Sequence, residues 1–236
     1  KALEEADGDL EAAIGVLRKS GIAKAAKKAG RTAAEGLVLA KQNEEYVCLV
    51  EINCETDFVA NDENFRSFAE LVAEKILAEG PEDLEALKNC STPNGLIEEV
   101  ATELSAKVGE KIDLRRFVKV EKRQQVAGIY LHGNKIGVVT LVDSSSEDVA
   151  RDVAMHIAAT NPLAIGSEDL QDDVLEKERE IHRSQAEETG KPPEIIEKMV
   201  TGKMKKFVAE NTLLGQSYVK DNEKTVAAYL DETKSS

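Results

Sequence analysis

Few groups in this chain of 236 residues could do covalent, acid–base or metal chemistry: three histidines, His132, His156 and His182, and three cysteines, Cys48, Cys54 and Cys90. No pair of histidines has H-E-x-x-H spacing, and no G-x-S-x-G elbow occurs, so neither a zinc-protease helix nor an activated serine is encoded. An odd set of cysteines without a C-x-x-C pair argues against a disulfide scaffold and a zinc knuckle alike. Gly202-Lys203 lacks the upstream glycine of a phosphate-cradling loop, so direct nucleotide binding is not expected. His156, within Ala154-Met155-His156-Ile157-Ala158, reads as a packed core histidine. His132 precedes Gly133-Asn134-Lys135 at a hairpin tip and is presented to solvent or to a partner. The adjacent acids Asp172 and Asp173 belong to a solvated helix. With no cofactor and no metal ligand set expected, a binding protein is favoured over an enzyme; a metabolic enzyme would need a pocket of perturbed titrating groups, and no such constellation stands out.

One pair of residues invites a different chemistry, that of recognition. Asp57 and Phe58 stand side by side on a short connector, with alternating apolar and polar residues from Tyr46 to Asn53 before it and a helix from Asp62 to about Glu79 after it. Asn61 or Asp62 is the cap of that helix. A large aromatic beside a carboxylate on a loop held by rigid elements is suited to anchoring a partner. The other reading is that Phe58 folds into the core as a staple while Asp57 bonds nearby backbone amides. Residue type alone favours the staple, because apolar side chains are mostly inside.

Composition narrows the partner. Thirty-one basic against 45 acidic residues give a net charge of −14, so a broad nucleic-acid footprint is not expected. No apolar run approaches the roughly 20 residues of a membrane helix, and the start lacks the order of a signal peptide. The cysteine usage fits a reducing cytosol. The chain opens at Lys1 within a helical pattern and without an initiator methionine, which reads as truncation at the front.

The elements that must position these residues follow from periodicity. Lys1 to Ala6 and Asp9 to Lys19 read as two short helices, with Leu3, Leu10, Ala13, Ile14 and Leu17 at helical spacing, Asp9 as N-cap and Gly21 as a stop. Ile22 to Ala29 continues as a helical linker carrying Lys24, Lys27 and Lys28. Strand, turn at Gln42 to Glu45 and strand make a hairpin over Ala33 to Asn53. The helix from Asp62 buries Phe65, Phe68, Leu71, Val72, Ile76 and Leu77; Leu96 to Val108 is a further amphipathic helix ending at Gly109, and Lys111 to Lys122 is a strand. Val126 to Leu131, the turn His132 to Lys135 and Ile136 to Val142 form a second hairpin, followed by a helix capped at Ser144 to Ser146 and reaching about Thr160. Hairpin plus helix thus occurs twice, which predicts an α+β fold of two related subdomains, each an antiparallel sheet covered by helices.

Leu170 to Glu188 is a charged helix with a thin seam of Val174, Leu175 and Ile181. Gly190-Lys191-Pro192-Pro193 breaks it, and Glu194 to Glu210 resumes with Ile195, Ile196, Met199, Val200, Phe207 and Val208 at helical spacing. Two such helices back to back form an arm with apolar residues to spare, either a passive solvated hairpin or a site for self-association or partner docking. Gly215 to Tyr218 and Thr225 to Leu230 then return to the core.

Cys54-Glu55-Thr56-Asp57-Phe58-Val59-Ala60, after Val50-Glu51-Ile52-Asn53, resembles the hallmark of the elongation factor Ts family. Supporting matches run in order: Lys1-Ala2-Leu3 with Gly8-Asp9, Ala25 to Gly30, Arg31 leading into Ala33-Ala34-Glu35-Gly36, Val108-Gly109-Glu110, His132-Gly133 with Ile136-Gly137-Val138, Met155 to Ala159, Gly190-Lys191-Pro192 with Glu197 to Val200, and Lys203 to Phe207. The resemblance spans essentially all 236 residues. It implies a ubiquitin-associated-like helical module with linker over 1–31, one core subdomain over 32–124, a second over 125–168 and 211–236, and a coiled-coil hairpin over 169–210. Family members also begin with a further helix and a Thr-Gly-x-Gly loop, and continue past Asp231 into a last core strand and a C-terminal module.

The function implied is guanine-nucleotide exchange on elongation factor Tu without bond chemistry, in the bacterial cytoplasm or an organellar matrix. In the resemblance Phe58 wedges between helices of the partner's GTPase domain and Asp57 disturbs the nearby Mg²⁺ and phosphate site, with Thr56 and Val59 in the same contact. Val108 would grip the GTPase domain, and His132 with Gly133 would touch another domain of the partner. The alternative is a ribosome- or RNA-associated adaptor acting through Lys24, Lys27, Lys28 and the patch from Lys203 to Lys206; its binding would fall steeply with salt.

Overall fold

The computed structural model describes residues 2–144 and 146–234, and the chain divides into two compact units, Lys1–Leu141 and Val142–Ser236. The side chains of Leu3, Ile14, Leu17, Ile22 and Lys24, and Ser145 of the expected cap, lie outside the described set.

Helices α1 (Ala2–Glu5) and α2 (Leu10–Ala26) open the first unit. Asp9 caps α2 as expected, its carboxylate accepting from the Ala12 N–H at 2.9 Å. The expected stop at Gly21 is not observed: α2 runs on through it. Gly21 is buried against Ala106, where a Cβ would make an ordinary contact at 3.8 Å, so the helix passes through this position in a packed setting rather than ending at it.

Strands β1 (Glu35–Gln42) and β2 (Tyr46–Cys54) form the first hairpin. A single helical turn, α3 (Asp57–Ala60), and the long helix α4 (Glu63–Glu79) follow. Next come α5 (Leu84–Lys88), a small hairpin of β3 (Ser91–Thr92) with β4 (Gly95–Leu96) that the periodicity did not reveal, α6 (Ile97–Val108) and β5 (Asp113–Glu121). Central β2 pairs antiparallel with both β1 and β5, setting Leu37 opposite Ile52 and Val50 opposite Phe117. Being central, it is apolar over most of its length: Val47, Cys48, Val50, Ile52 and Cys54 are all buried. Onto one face α4 lays Phe65, Phe68, Ala69, Val72, Ala73, Ile76 and Leu77, a stripe at the i, i+3, i+4 spacing of a helix face. Asp62 caps α4 at the front, and Gly80, at φ 59°, ends it in the left-handed conformation that glycine tolerates best.

The second hairpin, β6 (Val126–His132) and β7 (Ile136–Val142), lies with the first unit up to Leu141. Its turn is held to β1, where the Val38 N–H donates to the Asn134 carbonyl at 2.8 Å. Gly137 sits so close to β1 and β2 that a Cβ would be 2.5 Å from Val38 Cγ1 and 3.2 Å from Leu49 Cδ2.

In the second unit, α7 (Glu147–Thr160) is followed by α8 (Asp172–Glu187) and α9 (Pro193–Asn211), then by the short hairpin β8 (Ser217–Tyr218) and β9 (Asp221–Thr225), and by α10 (Val226–Lys234). Val153, Leu213, Tyr218 and Val226 form its core. His156 is fully buried there, as its apolar setting predicts: Nδ1 accepts from the Val219 N–H at 3.3 Å, so Nε2 carries the proton and donates to Gln216 Oε1 at 2.9 Å. Helices α8 and α9 pack into the expected arm around Ala186, Val200 and Met204, with an Arg183–Glu197 ion pair at 2.7 Å. Ile181 and Ile195, expected in the seam, are instead exposed. The fold is α+β with small antiparallel sheets, and no described helix is long and apolar enough to cross a membrane.

Gly36, at φ 144° on β1, has no room for a side chain: a Cβ would meet the Ile52 carbonyl oxygen and lie 2.7 Å from Asn53 Cα. Gly36→Ala is expected to destabilise the first unit by about 2 kcal/mol through backbone strain and forced separation of β1 from β2, read as a lowered urea midpoint.

Candidate functional site

The expected open connector between β2 and α4 is a structured turn. Thr56, at φ −127° and ψ 156°, is the N-cap of α3, its hydroxyl oxygen accepting from the Val59 N–H at 3.4 Å. Asn61 closes the other end: its backbone N–H reaches the Asp57 carbonyl at 3.1 Å and its side-chain amide donates to the same oxygen at 2.9 Å. With the turn wound this way, alternate fates follow for neighbouring residues. Val59 and Ala60 are buried on the β1–β2 side and seat the turn, whereas Asp57 and Phe58 point outward.

Phe58 is 83% exposed, against 0% for Phe65 and 4% for Phe68. The other two of the five phenylalanines, Phe117 and Phe207, are half-buried. The staple reading of Phe58 therefore fails, and the physical reason is local: Val59, one residue on, takes the inward position, and a one-turn helix cannot turn both side chains the same way.

What holds the turn in place comes from a distant part of the chain. Glu110, one residue beyond the α6 stop at Gly109, spends its whole carboxylate on the entry to the turn. Its Oε2 accepts from the backbone N–H of Glu55 at 3.0 Å and of Thr56 at 2.9 Å, and its Oε1 accepts from the Thr56 hydroxyl at 2.6 Å. Glu55 reciprocates, its Oε1 accepting from the Lys111 N–H at 2.7 Å and from Arg31 Nη1 at 3.3 Å. The Lys111 N–H, and then the Arg31 guanidinium, hold the Glu55 carboxyl below the usual carboxylate range. Ser105 donates to the Glu110 carbonyl at 2.6 Å, tying this crossed pair to α6. Beneath the turn, burial first and then the negative charge of Glu110 push the Cys54 thiol up to about 11, so it stays protonated and donates to the Thr56 carbonyl at 3.1 Å.

The remaining expected site residues border the same turn. Val108 is half-buried against the core at the end of α6, where Lys107 bonds Asn64 of α4 at 2.6 Å. His132 and Gly133 are exposed at the tip of the second hairpin, Gly133 at φ 58°. A polar bridge joins that tip to the corner after α3: Arg66 donates to Asn61 Oδ1 at 2.9 Å, and Asn134 donates to the same oxygen at 3.3 Å. The α6 end, the Phe58 turn and the His132 tip thus form one rim of the first unit. Glu110, Arg31, Arg66 and Asn134, which build that rim, had no assigned role from the sequence, and Asn61 was expected only as a candidate cap of α4, a place Asp62 takes. Asn61 and Arg66 bond each other locally, but the partners of Glu110, Arg31 and Asn134 lie tens of residues away, and the one local hint was a carboxylate standing just after a helix stop with no nearby amide to serve.

Residues 55–236 match the family model described as elongation factor TS. The chain is 50% identical over 232 residues to elongation factor Ts of Alkalilimnicola ehrlichii, a match covering 98% of this chain and 80% of that relative. It is 49% identical over 234 residues to elongation factor Ts of Thioalkalivibrio sulfidiphilus, with 98% and 80% covered, and 47% identical over 239 residues to that of Hydrogenovibrio crunogenus, with 100% and 81% covered.

Two carboxyls of the rim stay ionised to lower pH in the folded chain than in the unfolded one. Asp62 is held below its ordinary 3.8 by the Asn64 side chain and by the Asn64 and Phe65 amides, and Glu55 below its ordinary 4.5 as described. Such groups stabilise fully above their unfolded values and lose that contribution as pH falls through the folded ones. The unfolding midpoint is expected to be level from about pH 7 to 5 and to fall below about pH 4.5, with Glu55→Gln removing part of the fall in a urea titration at each pH.

Proposed function

The chain belongs to the elongation factor Ts family, a family of translation elongation factors, and from that premise we propose that it promotes GDP release from elongation factor Tu by pressing the Phe58 turn into the partner's GTPase domain. One observation carries this reading: a large aromatic ring, 83% exposed, stands on a turn pinned by the Glu110 carboxylate. An aromatic anchor on a rigid support loses little conformational entropy on docking, which is the property of an interface hot spot.

The mechanism is one of linkage and needs no bond chemistry. A protein that binds the nucleotide-free partner more tightly than the GDP-bound form must weaken GDP by the same factor, and couplings of this kind amount to about 1 to 3 kcal/mol or more. Phe58 supplies the apolar wedge. Asp57, exposed beside it, brings negative charge toward the region where Mg²⁺ bridges the nucleotide phosphates, and loss of that bridge removes a main anchor of the nucleotide. Thr56 caps the turn and Val59 seats it, so their part is to present the wedge. Val108, from the end of α6, and His132 with Gly133, at the hairpin tip, flank the wedge on the rim and serve as further contacts, the first with the GTPase domain and the second with another domain of the partner.

Phe58→Ala is expected to slow GDP release from elongation factor Tu by about tenfold or more while leaving stability within about 0.5 kcal/mol, since the ring is 83% exposed. Stopped-flow release of a fluorescent GDP checks it, and an unchanged rate would overturn the wedge. An RNA- or ribosome-adaptor role would show instead as binding that collapses between low and moderate salt, which apolar wedging does not.

A further inference from the structure

The resemblance includes Glu110 only as the end of the Val108-Gly109-Glu110 match and gives it no role, yet its carboxylate is what the wedge stands on. Two oxygens receive three donors, and all three belong to Glu55 and Thr56, the residues that lead into α3. The Thr56 hydroxyl is shared: it donates to Glu110 and accepts from the Val59 N–H, so the same oxygen that caps the turn is itself fixed by Glu110. Removing the carboxylate would leave two amides and the cap hydroxyl to find water, and the turn would be free to rotate or fray about Cys54.

We propose that Glu110 is a positioning residue for nucleotide exchange, acting through Phe58: it sets the height and direction in which α3 presents the aromatic ring. The inference rests on the wedge reading above. Glu110 also couples the wedge to α6. Its own carbonyl accepts from Ser105, and Lys107, two residues before Gly109, bonds Asn64 at the start of α4. The end of α6 that carries Val108 and the turn that carries Phe58 are therefore one hydrogen-bonded body, and the two contacts are offered to a partner at a set spacing. A preorganised pair of contacts gains by not having to be ordered at the moment of binding, and that gain shows where the contact must be strongest, in the state from which nucleotide leaves.

The conservative replacements are informative because of the donor pattern. In Glu110→Gln the amide oxygen can still accept from both backbone N–H groups, and the amide nitrogen can donate to Thr56 Oγ1, so the geometry survives without the charge. Glu110→Asp keeps the charge on a side chain one methylene too short to reach.

The test is stopped-flow GDP release from elongation factor Tu as a function of factor concentration, for the parent, Glu110→Ala, Glu110→Gln, Glu110→Asp, Phe58→Ala and the double variant Phe58→Ala/Glu110→Ala, with amide hydrogen exchange at Glu55 and Thr56 read by NMR on the free proteins. Glu110→Ala and Glu110→Asp are expected to lower the maximal release rate about tenfold, with less than about threefold change in the half-saturating concentration and faster exchange of both amides. Glu110→Gln should restore the rate to within about threefold of the parent, and the double variant should be no slower than Phe58→Ala alone. Multiplying losses in the double variant, or faster amide exchange with an unslowed release rate, would overturn the positioning role while leaving Phe58 as the wedge. If Phe58→Ala itself releases GDP at the parent rate, the wedge reading falls, and this inference with it. Should Glu110→Ala not fold, Glu110→Asp and Glu110→Gln carry the comparison.

Discussion

The first unit depends on a carboxylate placed where two pieces of chain, 54 and 55 residues apart along the sequence, must be held together: Glu110 bonded to Thr56 and Glu55. Hydrogen bonds to a charged group contribute about 1.5 to 3 kcal/mol each in favourable settings, and here three share one carboxylate at 2.6 to 3.0 Å. Part of that is offset by desolvation of the charge, but the group is only partly buried and the donors would otherwise be unsatisfied. Leaving any donor unpaired costs more than the pair gains, so the arrangement behaves as a lock rather than as an increment of stability. The Phe58 turn takes its position from that lock directly through Thr56, and the end of α6 is tied to it through Ser105.

The core makes such a lock possible because it leaves the connector short. Strand β2 is buried at five of its nine positions and α4 covers it with an apolar stripe, which fixes the end of one and the start of the other. Glu55 to Asp62 must bridge that gap, and winding one helical turn with Val59 and Ala60 inward is how it does so while still burying apolar surface. Phe58 is then forced outward. A ring of that size in water gives up roughly 1.5 to 3 kcal/mol that burial would have contributed. Most of that is not recovered within the described residues, where the ring is 83% exposed, and a partner surface is where the proposed role recovers it.

Much of this was legible in the residues. The cap at Asp9, the hairpin turn at His132 to Lys135 and the buried setting of His156 each follow from local spacing or local chemistry and are observed; of the two expected caps of α4 Asp62 is the one seen, and its stripe is observed except at Leu71, which is half-buried. Where the reading failed, the deciding contact was tertiary. Gly21 resembles a helix stop until Ala106 is set against it. The small hairpin at Ser91 to Leu96 is too short to show a period. Ile181 and Ile195 fall on the apolar spacing of the arm, but its packing centres on Ala186, Val200 and Met204, with Ala186 small enough for close approach. At the site, the exposed aromatic was visible as a residue type and ambiguous as a position. Its support was invisible, because nothing in the neighbourhood of Glu110 says that its amides are waiting at Glu55 and Thr56.

That asymmetry has a physical basis. A side chain that acts at a surface can be guessed from its type, since large aromatics and carboxylates have few uses there, whereas a side chain that orients another is defined only by geometry. A flexible loop bearing Phe58 would have the same composition as the turn seen here, yet it would have to be ordered each time it docked, at roughly 1 to 2 kcal/mol for each backbone residue fixed. Over the four residues of α3 that ordering would exceed the roughly 1 to 3 kcal/mol by which one ligand typically weakens another. Under the exchange role proposed above, a cost of that size would weaken every docking of the turn. Fixing the turn beforehand, with a carboxylate from the far side of α6, removes that cost from the docking step and places it in the folding of the chain.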